Sequence, residues 1–292
     1  MNRAGAMPEI TVVIPSYNEE GAVGCVIAGA REALSAAAVK FEIIAVDDGS
    51  ADGTAAAAEA AGARVIRHPL NRGYGRSLLS GIEAAAHDWV LIIDADGSYP
   101  PAEIAKLLAH IPAFDMVVGA RQGPLFWGSY SKAFMRWTYL ALARFVAGEH
   151  IPDANSGLRI FRKSAISDMP SICFGYSFTT TMTLSFLKAG RFVKFTPIAF
   201  VERVGKSKVK ALRDILRTLQ IMTQVIIYYN PLKFMVVLAA APLLALAAFS
   251  VCALAGRPQP FFWLLAALLL SMSALIFLSG CVIESIRLNS RR

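Results

Sequence analysis

Two uninterrupted apolar runs near the carboxyl end constrain this chain more than any other feature. From Phe234 to Ala255, and again from Phe261 to Ile283, no charged residue occurs. Each run exceeds the roughly 20 residues a helix needs to cross a hydrocarbon core. Leu, Ile, Phe and Val side chains alone favour insertion by roughly 3–6 kcal/mol for the first run and roughly 4–8 kcal/mol for the second. Backbone in lipid must satisfy its own polar groups, so two spanning helices are expected. The connection Gly256-Arg257-Pro258-Gln259-Pro260 carries one cation, whereas Arg287, Arg291 and Arg292 follow the second run and a basic segment precedes the first. That asymmetry places both termini on the cytoplasmic side. The bland alternative is a helical hairpin buried in a soluble core.

Just upstream, Lys206, Lys208, Lys210, Arg213 and Arg217 lead into Leu219, Ile221, Met222, Val225 and Ile226, with apolar positions three and four apart. The pattern predicts a helix in the headgroup plane, drawn there by anionic lipid; a solvated charged face is the alternative. The expected organisation is a catalytic domain over 1–205, an interfacial helix over 206–230, and a membrane region over 231–292 with spans at about 234–255 and 261–283. A composition 55% hydrophobic and 17% charged suits that division. The net charge of +8 lacks the aromatic interleaving of a nucleic-acid surface, so phosphate ligands and the lipid bilayer are expected rather than nucleic acid. Cys25, Cys173, Cys252 and Cys281 have no paired spacing, which argues against a disulfide framework or a zinc site. Met1 to Glu9 lack a secretory apolar core, so the head is expected in the cytoplasm.

The head alternates β-rich runs with Ala-rich helical stretches: Ile10 to Pro15 then Gly21 to Ala37, Phe41 to Val46 then Asp52 to Ala61, Arg64 to Arg67 then Gly75 to Ala86, and Trp89 to Ile93 then Pro101 to Ile111. Such alternation predicts βαβ units on a mostly parallel sheet, with ligands at the carboxyl ends of the strands. Polar clusters fall at those ends: Pro15 to Glu19, Asp47 to Ser50, and Asp94-Ala95-Asp96. Paired carboxylates there suit a hard divalent cation, which wants oxygen ligands and neutralises a diphosphate. An isolated Asp-x-Asp is equally an ordinary turn, and Asp47 to Thr54 has a bland reading as a turn with Ser50 or Asp52 capping the next helix. Asn71 to Ser77 reads mainly as a packing turn, because it lacks the lysine spacing of a phosphate loop.

In order and spacing, Ile14 to Glu19, Val46 to Thr54, Asp94 to Pro101 and Gly119-Ala120-Arg121 together resemble the family 2 glycosyltransferases of GT-A fold. Asp153 to Arg159 and Arg203 to Lys208, followed by the basic helix and two spans, are similar to polyprenyl-phosphate sugar synthases of the dolichol-phosphate mannosyltransferase type. The resemblance implies that Pro15, Tyr17, Glu19, Val46 and Asp48 hold the nucleoside. It implies Asp94, Ala95 and Asp96 at a Mg2+ or Mn2+ ion and the diphosphate, with Ser98 where many relatives carry Gln. Arg121, Arg203, Ser207 and Lys208 match groups that meet the donor diphosphate or acceptor phosphate; Lys132 and Arg136 add to the acceptor side or line an exposed helix face.

Many GT-A transferases carry a base near Ser177 to Thr181, and no acid stands there. A lipid phosphate is already anionic and needs no base, so the absence suits a phosphate nucleophile; Asp153 is left as a base or a cation-positioning group. The expected reaction inverts the anomeric centre and moves a hexose from a nucleotide sugar, GDP-mannose or a UDP-hexose, to dolichyl or undecaprenyl phosphate at the cytoplasmic face. A homo-oligomer is compatible with this reading. The rivals are a processive or other-acceptor family 2 transferase, for which Ala133 stands where a Gln-x-x-Arg-Trp motif needs Gln before Arg136-Trp137, and a non-catalytic nucleotide-binding scaffold, against which Asp94 and Asp96 speak.

Overall fold

The computed structural model describes residues 7–166, 178–202, 220, 223–254 and 260–289. The chain divides into two compact units, Met1–Met222 and Thr223–Arg292.

In the first unit, β1 (Ile10–Ser16), β2 (Phe41–Asp47), β3 (Arg64–Arg67), β4 (Trp89–Ile92), β5 (Met116–Arg121), β6 (Arg159–Arg162) and β7 (Val193–Ile198) form one sheet in the order β3-β2-β1-β4-β6-β5-β7. The β3-β2-β1-β4 half is parallel throughout, as βαβ crossovers require. β6 runs antiparallel to both β4 and β5, whereas β5 and β7 are parallel. Ile10, Val12 and Ile14 pack on one face with Val23, Ile27 and Leu34 of α1 (Glu20–Ala36) and with Ile104 and Leu107 of α4 (Ile104–Leu108). The alternate positions Val13, Val90 and Ile92 meet Leu78 and Ile82 of α3 (Tyr74–Ala84) and Phe178, Met182 and Phe186 of α7 (Phe178–Lys188) on the other face. Covering both faces explains why these strands read as continuous apolar runs. Gly81 lets α3 lie against the sheet, since a Cβ there would stand 2.3 Å from Val13 Cγ1.

The remaining helices are α2 (Thr54–Ala60), α5 (Pro124–Trp127) and α6 (Tyr130–Ala147). The expected helix from Pro101 to Ile111 is a 3-10 turn, Pro101–Glu103, followed by the short α4. Thr179, Thr180, Thr181 and Thr183 favour strand by propensity, yet lie in helix α7, where burial on every side overrides local preference.

In the second unit, 223–229 are helical, followed by α8 (Pro231–Leu254) and α9 (Pro260–Asn289). Both are long and apolar enough to cross a membrane. They pair along a seam where Ser273 Oγ donates to Ala239 O at 2.8 Å and Gly280 admits Met235; a Cβ at Gly280 would stand 2.6 Å from Met235 Cβ. Outward-facing Leu244, Val251, Leu264, Leu275 and Leu278 are exposed, the inverse of a soluble core. α9 continues past the uncharged run through Glu284 and Arg287, which pair one turn apart. Most of the expected interfacial helix, 206–219 and 221–222, lies outside the described residues.

Candidate active site

The carboxyl ends of β1 and β2 are tied together by the polar motifs that follow them. Asn18, at φ +52°, donates its N–H to Ser50 Oγ at 2.9 Å and accepts from Ala51 N–H at 2.8 Å through its side-chain oxygen. Glu19 N–H donates to Thr54 Oγ1 at 2.8 Å, and Gly53 N–H donates to the Glu20 carboxylate at 3.0 Å. Asp52 accepts from Thr54 N–H at 3.1 Å, but the N-cap position of α2 is Gly53, so neither Ser50 nor Asp52 is the capping residue the sequence suggests. Pro15 and Val46 are register partners at the floor of this region, while Tyr17 is 36% exposed at its rim. Asp48 is buried, and its carboxylate is engaged internally. Its Oδ1 lies 2.7 Å from His68 Nδ1 and accepts from Arg72 N–H at 3.0 Å, and its Oδ2 accepts from Gly73 N–H at 2.7 Å. Those same N–H groups are what the Asn71 to Ser77 turn would need for a phosphate.

Asp94 and Asp96 stand where β4 opens into a turn, with Gly97 at φ +74°. Tyr74, the first residue of α3, donates its hydroxyl to Asp94 Oδ1 at 2.8 Å. Gly157 also packs on this carboxylate, since a Cβ there would be 2.0 Å from Asp94 Oδ2. Asp96 Oδ1 accepts from Ser98 N–H at 3.0 Å; Ser98 is buried, and its carbonyl accepts from Val201 N–H. Loss of water and then repulsion from Asp96 push the Asp94 carboxyl up to about 6. Two mutually repelling carboxylates at one strand end fit a divalent cation. Among the described residues no third His, Cys, Asp or Glu joins them, so further ligands would be diphosphate oxygens and water, the usual pattern for Mg2+.

Beyond the carboxylates lies a cationic wall. Arg121, at the end of β5, grips Asp153 with Nε at 2.7 Å and Nη2 at 2.9 Å. Its guanidinium stacks over Phe126 at 5.1 Å and Phe200 at 5.4 Å. Despite burial, the electrostatic pull of Tyr99 and Asp153 raises the Arg121 pKa, so it stays charged. Arg136 of α6 stacks on the same Phe126 ring at 5.0 Å, and its buried Nη1 has no hydrogen-bond acceptor among the described residues. Lys132, one turn earlier, is exposed.

Arg159, the first residue of β6, is fully buried. Its Nε donates to Ser156 O at 3.0 Å, and its Nη1 to Thr179 O at 2.8 Å and Thr183 Oγ1 at 3.0 Å. Burial lowers its pKa, opposed by the surrounding Tyr74, Asp153, Tyr99 and Tyr139. Tyr99 OH accepts from Gly157 N–H at 2.7 Å, closing the wall against Asp94 and Asp96. The structure thus gathers Asp94, Ala95, Asp96, Ser98, Arg121, Asp153 and Arg136 around one end of the sheet. Arg203, Ser207 and Lys208 lie outside the described residues. Gly157 and Arg159 fall within the Asp153 to Arg159 segment and Tyr74 within the Asn71 to Ser77 turn, but their roles are not read from sequence: nothing there says that Tyr74 reaches 20 positions ahead, or that an arginine opening a strand is buried.

The segment that supplies these residues, 11–169, matches the sequence model for "Glycosyl transferase family 2". The chain is a family 2 glycosyltransferase. The enzyme is 28% identical over 215 residues to the undecaprenyl-phosphate mannosyltransferase of Micrococcus luteus, covering 68% of this chain and 86% of that protein. It is 32% identical over 216 residues to the undecaprenyl-phosphate 4-deoxy-4-formamido-L-arabinose transferase of Pseudomonas paraeruginosa, covering 70% of this chain and 61% of that protein, so this chain spans less than two thirds of that relative. Its fold is similar to glucosyl-3-phosphoglycerate synthase from Mycobacterium tuberculosis, crystallised with Mn2+, uridine-diphosphate-glucose and phosphoglyceric acid, at TM-score 0.62 and 21% identity over 76% of this chain and 80% of that one. A second match is mannosyl-3-phosphoglycerate synthase from Rubrobacter xylanophilus, at TM-score 0.60 and 23% identity over 75% and 72%. The family 2 glycosyltransferase therefore has a GT-A fold, as its motifs imply, with two apolar helices of membrane-spanning length after it.

Proposed function

We propose that this glycosyltransferase moves a hexose from a nucleotide sugar, GDP-mannose or a UDP-hexose, to a polyprenyl phosphate at the cytoplasmic face of a membrane. The observation that carries the reading is the donor surplus at Phe126. Two guanidiniums share one ring and, among the described residues, Asp153 is committed to Arg121 while a buried N–H of Arg136 has no acceptor. An unpaired buried donor of this kind costs about 1–3 kcal/mol, and a phosphate oxygen would satisfy it. The named lipid-phosphate activities of both relatives, the apolar hairpin and the exposed aromatics Trp127, Tyr130, Phe134 and Trp137 along α5 and α6 support a lipid-borne acceptor.

In this reading Pro15, Tyr17, Glu19 and Val46 line the nucleoside pocket, and Asp48 shapes it through the 68–73 turn. Asp94 and Asp96 would hold Mg2+ or Mn2+, whose charge stabilises the departing diphosphate when bound. Arg121, oriented by Asp153, faces that diphosphate; Arg136 and Lys132 receive the acceptor phosphate, with Arg203, Ser207 and Lys208 as further candidates. The acceptor oxygen is anionic before attack, so no proton has to be removed, and Asp153 acts by positioning Arg121 rather than as a base. Displacement in line then inverts the anomeric carbon.

The test incubates membranes holding the enzyme with labelled nucleotide sugars, polyprenyl phosphate and Mn2+, and extracts with organic solvent. An extractable, acid-labile glycolipid is expected, lost in Asp96→Ala. Arg136→Ala is expected to raise KM for the lipid phosphate roughly ten-fold or more while leaving that for the nucleotide sugar near normal. Transfer only to neutral hydroxyls or to phosphoglycerate would overturn the acceptor assignment.

A further inference from the structure

The turn between β3 and α3 connects the nucleoside side of the site with the metal pair. Asp48 fastens the backbone N–H groups of Arg72 and Gly73, and His68 on its other flank is held in turn by Ser80 Oγ at 3.0 Å. Asp48, His68 and Ser80 thus have the connectivity of a hydrolytic triad. Ser80, however, lies within α3, where backbone N–H groups are consumed by the helix and form no oxyanion site. The cluster is a fastening. Gly73 follows at φ +93° and ψ 160°, a conformation open in practice only to glycine, with nothing within 4 Å of where a Cβ would be. What this bend achieves is the direction of the next residue, Tyr74, whose hydroxyl ends 2.8 Å from Asp94 Oδ1.

We infer that Tyr74 is a positioning residue for the metal-binding carboxylate, and that Asp48, through the Arg72–Gly73 backbone, holds Tyr74 in place. Asp94 is then aligned by two contacts, the phenol hydroxyl on Oδ1 and the bare Cα of Gly157 against the carboxylate, Oδ2 nearest. With one oxygen engaged by Tyr74 and the carboxylate packed on Gly157, its orientation is fixed from both contacts, and its remaining lone pairs are left for a cation shared with Asp96. Neighbours that hydrogen-bond a metal-ligating carboxylate commonly change metal affinity without touching the metal. A base or ribose that moved the Asp48 turn would by the same route alter the grip on the cation, which couples donor recognition to metal binding. The inference rests on the metal assignment proposed above.

The test measures Mn2+ binding to purified full-length enzyme in detergent, by the loss of free Mn2+ EPR signal with and without nucleoside diphosphate, alongside activity titrated against Mn2+. Tyr74→Phe removes one oxygen from a partly exposed side chain and is expected to keep the wild-type melting temperature. Its Mn2+ dissociation constant is expected to rise roughly ten-fold, with turnover recovering at saturating Mn2+. His68→Gln, which loosens the fastening without touching Asp94, is expected to shift Mn2+ binding in the same direction by a smaller factor. A wild-type Mn2+ constant in Tyr74→Phe, with wild-type protein binding Mn2+ normally, would overturn the inference. Failure of the wild-type protein to bind Mn2+ at all would instead overturn the metal assignment beneath it.

Discussion

A single absent Cβ decides how closely the wall of the site can approach Asp94. Gly157 is not in a left-handed conformation, so alanine is tolerated by the backbone, and only the collision at 2.0 Å with Asp94 Oδ2 stands against it. Gly157→Ala is therefore expected to cut turnover on the order of a hundred-fold by misplacing the carboxylate, with a shift in thermal midpoint of only a few degrees; unimpaired turnover would refute this account of the contact. Asp153 separates two roles by measurement. Asp153→Asn leaves the Arg121 guanidinium buried without its counter-charge, for which a loss of about 3–5 kcal/mol is expected, seen as a lower midpoint together with lost activity. A general base would lose activity at unchanged stability. Asp94-Ala95-Asp96 and Arg121 are visible in sequence because their chemistry is local to a strand end. Arg159 is not, since its partners Ser156, Thr179 and Thr183 come together only once α7 has packed beneath β6.

Among elements, β2 is tied to its surroundings by Glu42, which accepts from Thr11 Oγ1 at 2.7 Å and from Ala86 N–H and lies 3.5 Å from Arg64. Partial burial works against its charge, but the Ala86 and Thr11 hydrogen bonds and Arg64 outweigh it and hold the carboxyl below its usual 4.5. A depressed folded-state pKa stabilises fully above the unfolded value and is lost as pH falls through the folded one. Melting curves of wild type and Glu42→Gln should accordingly separate at neutral pH and draw together as pH falls past the usual Glu range and through the lower folded-state value; a constant separation would exclude the ionised form as the cause. In the second unit, Gly280→Val places atoms where Met235 sits. The α8–α9 pair is expected to loosen, read as a lower midpoint in detergent, whereas Ser273→Ala should cost only about 0.6 kcal/mol. The βαβ half was legible because period and turn residues agree along it. The second half was not, because β6 inserts out of chain order and α7 carries strand-favouring threonines in a fully enclosed helix.

For the molecule as a whole, excess chelator applied to the membrane-embedded enzyme is expected to abolish glycolipid formation and added Mn2+ to restore it; full activity in chelator would remove the metal from the reaction. The reversed strand also sets how the two halves of the site are built. Because β6 opposes β4, with Ile92 facing Arg159, residues that precede β6 stand beside residues that follow β4. Asp153 to Gly157 are thus brought beside Asp94 and Asp96 from a distant part of the chain. A length change in 148–157 would therefore carry Asp153, and with it the grip on Arg121, to a new place while the β1–β4 scaffold stayed intact, so the two walls of one cleft are free to drift apart in sequence without either strand set being rebuilt.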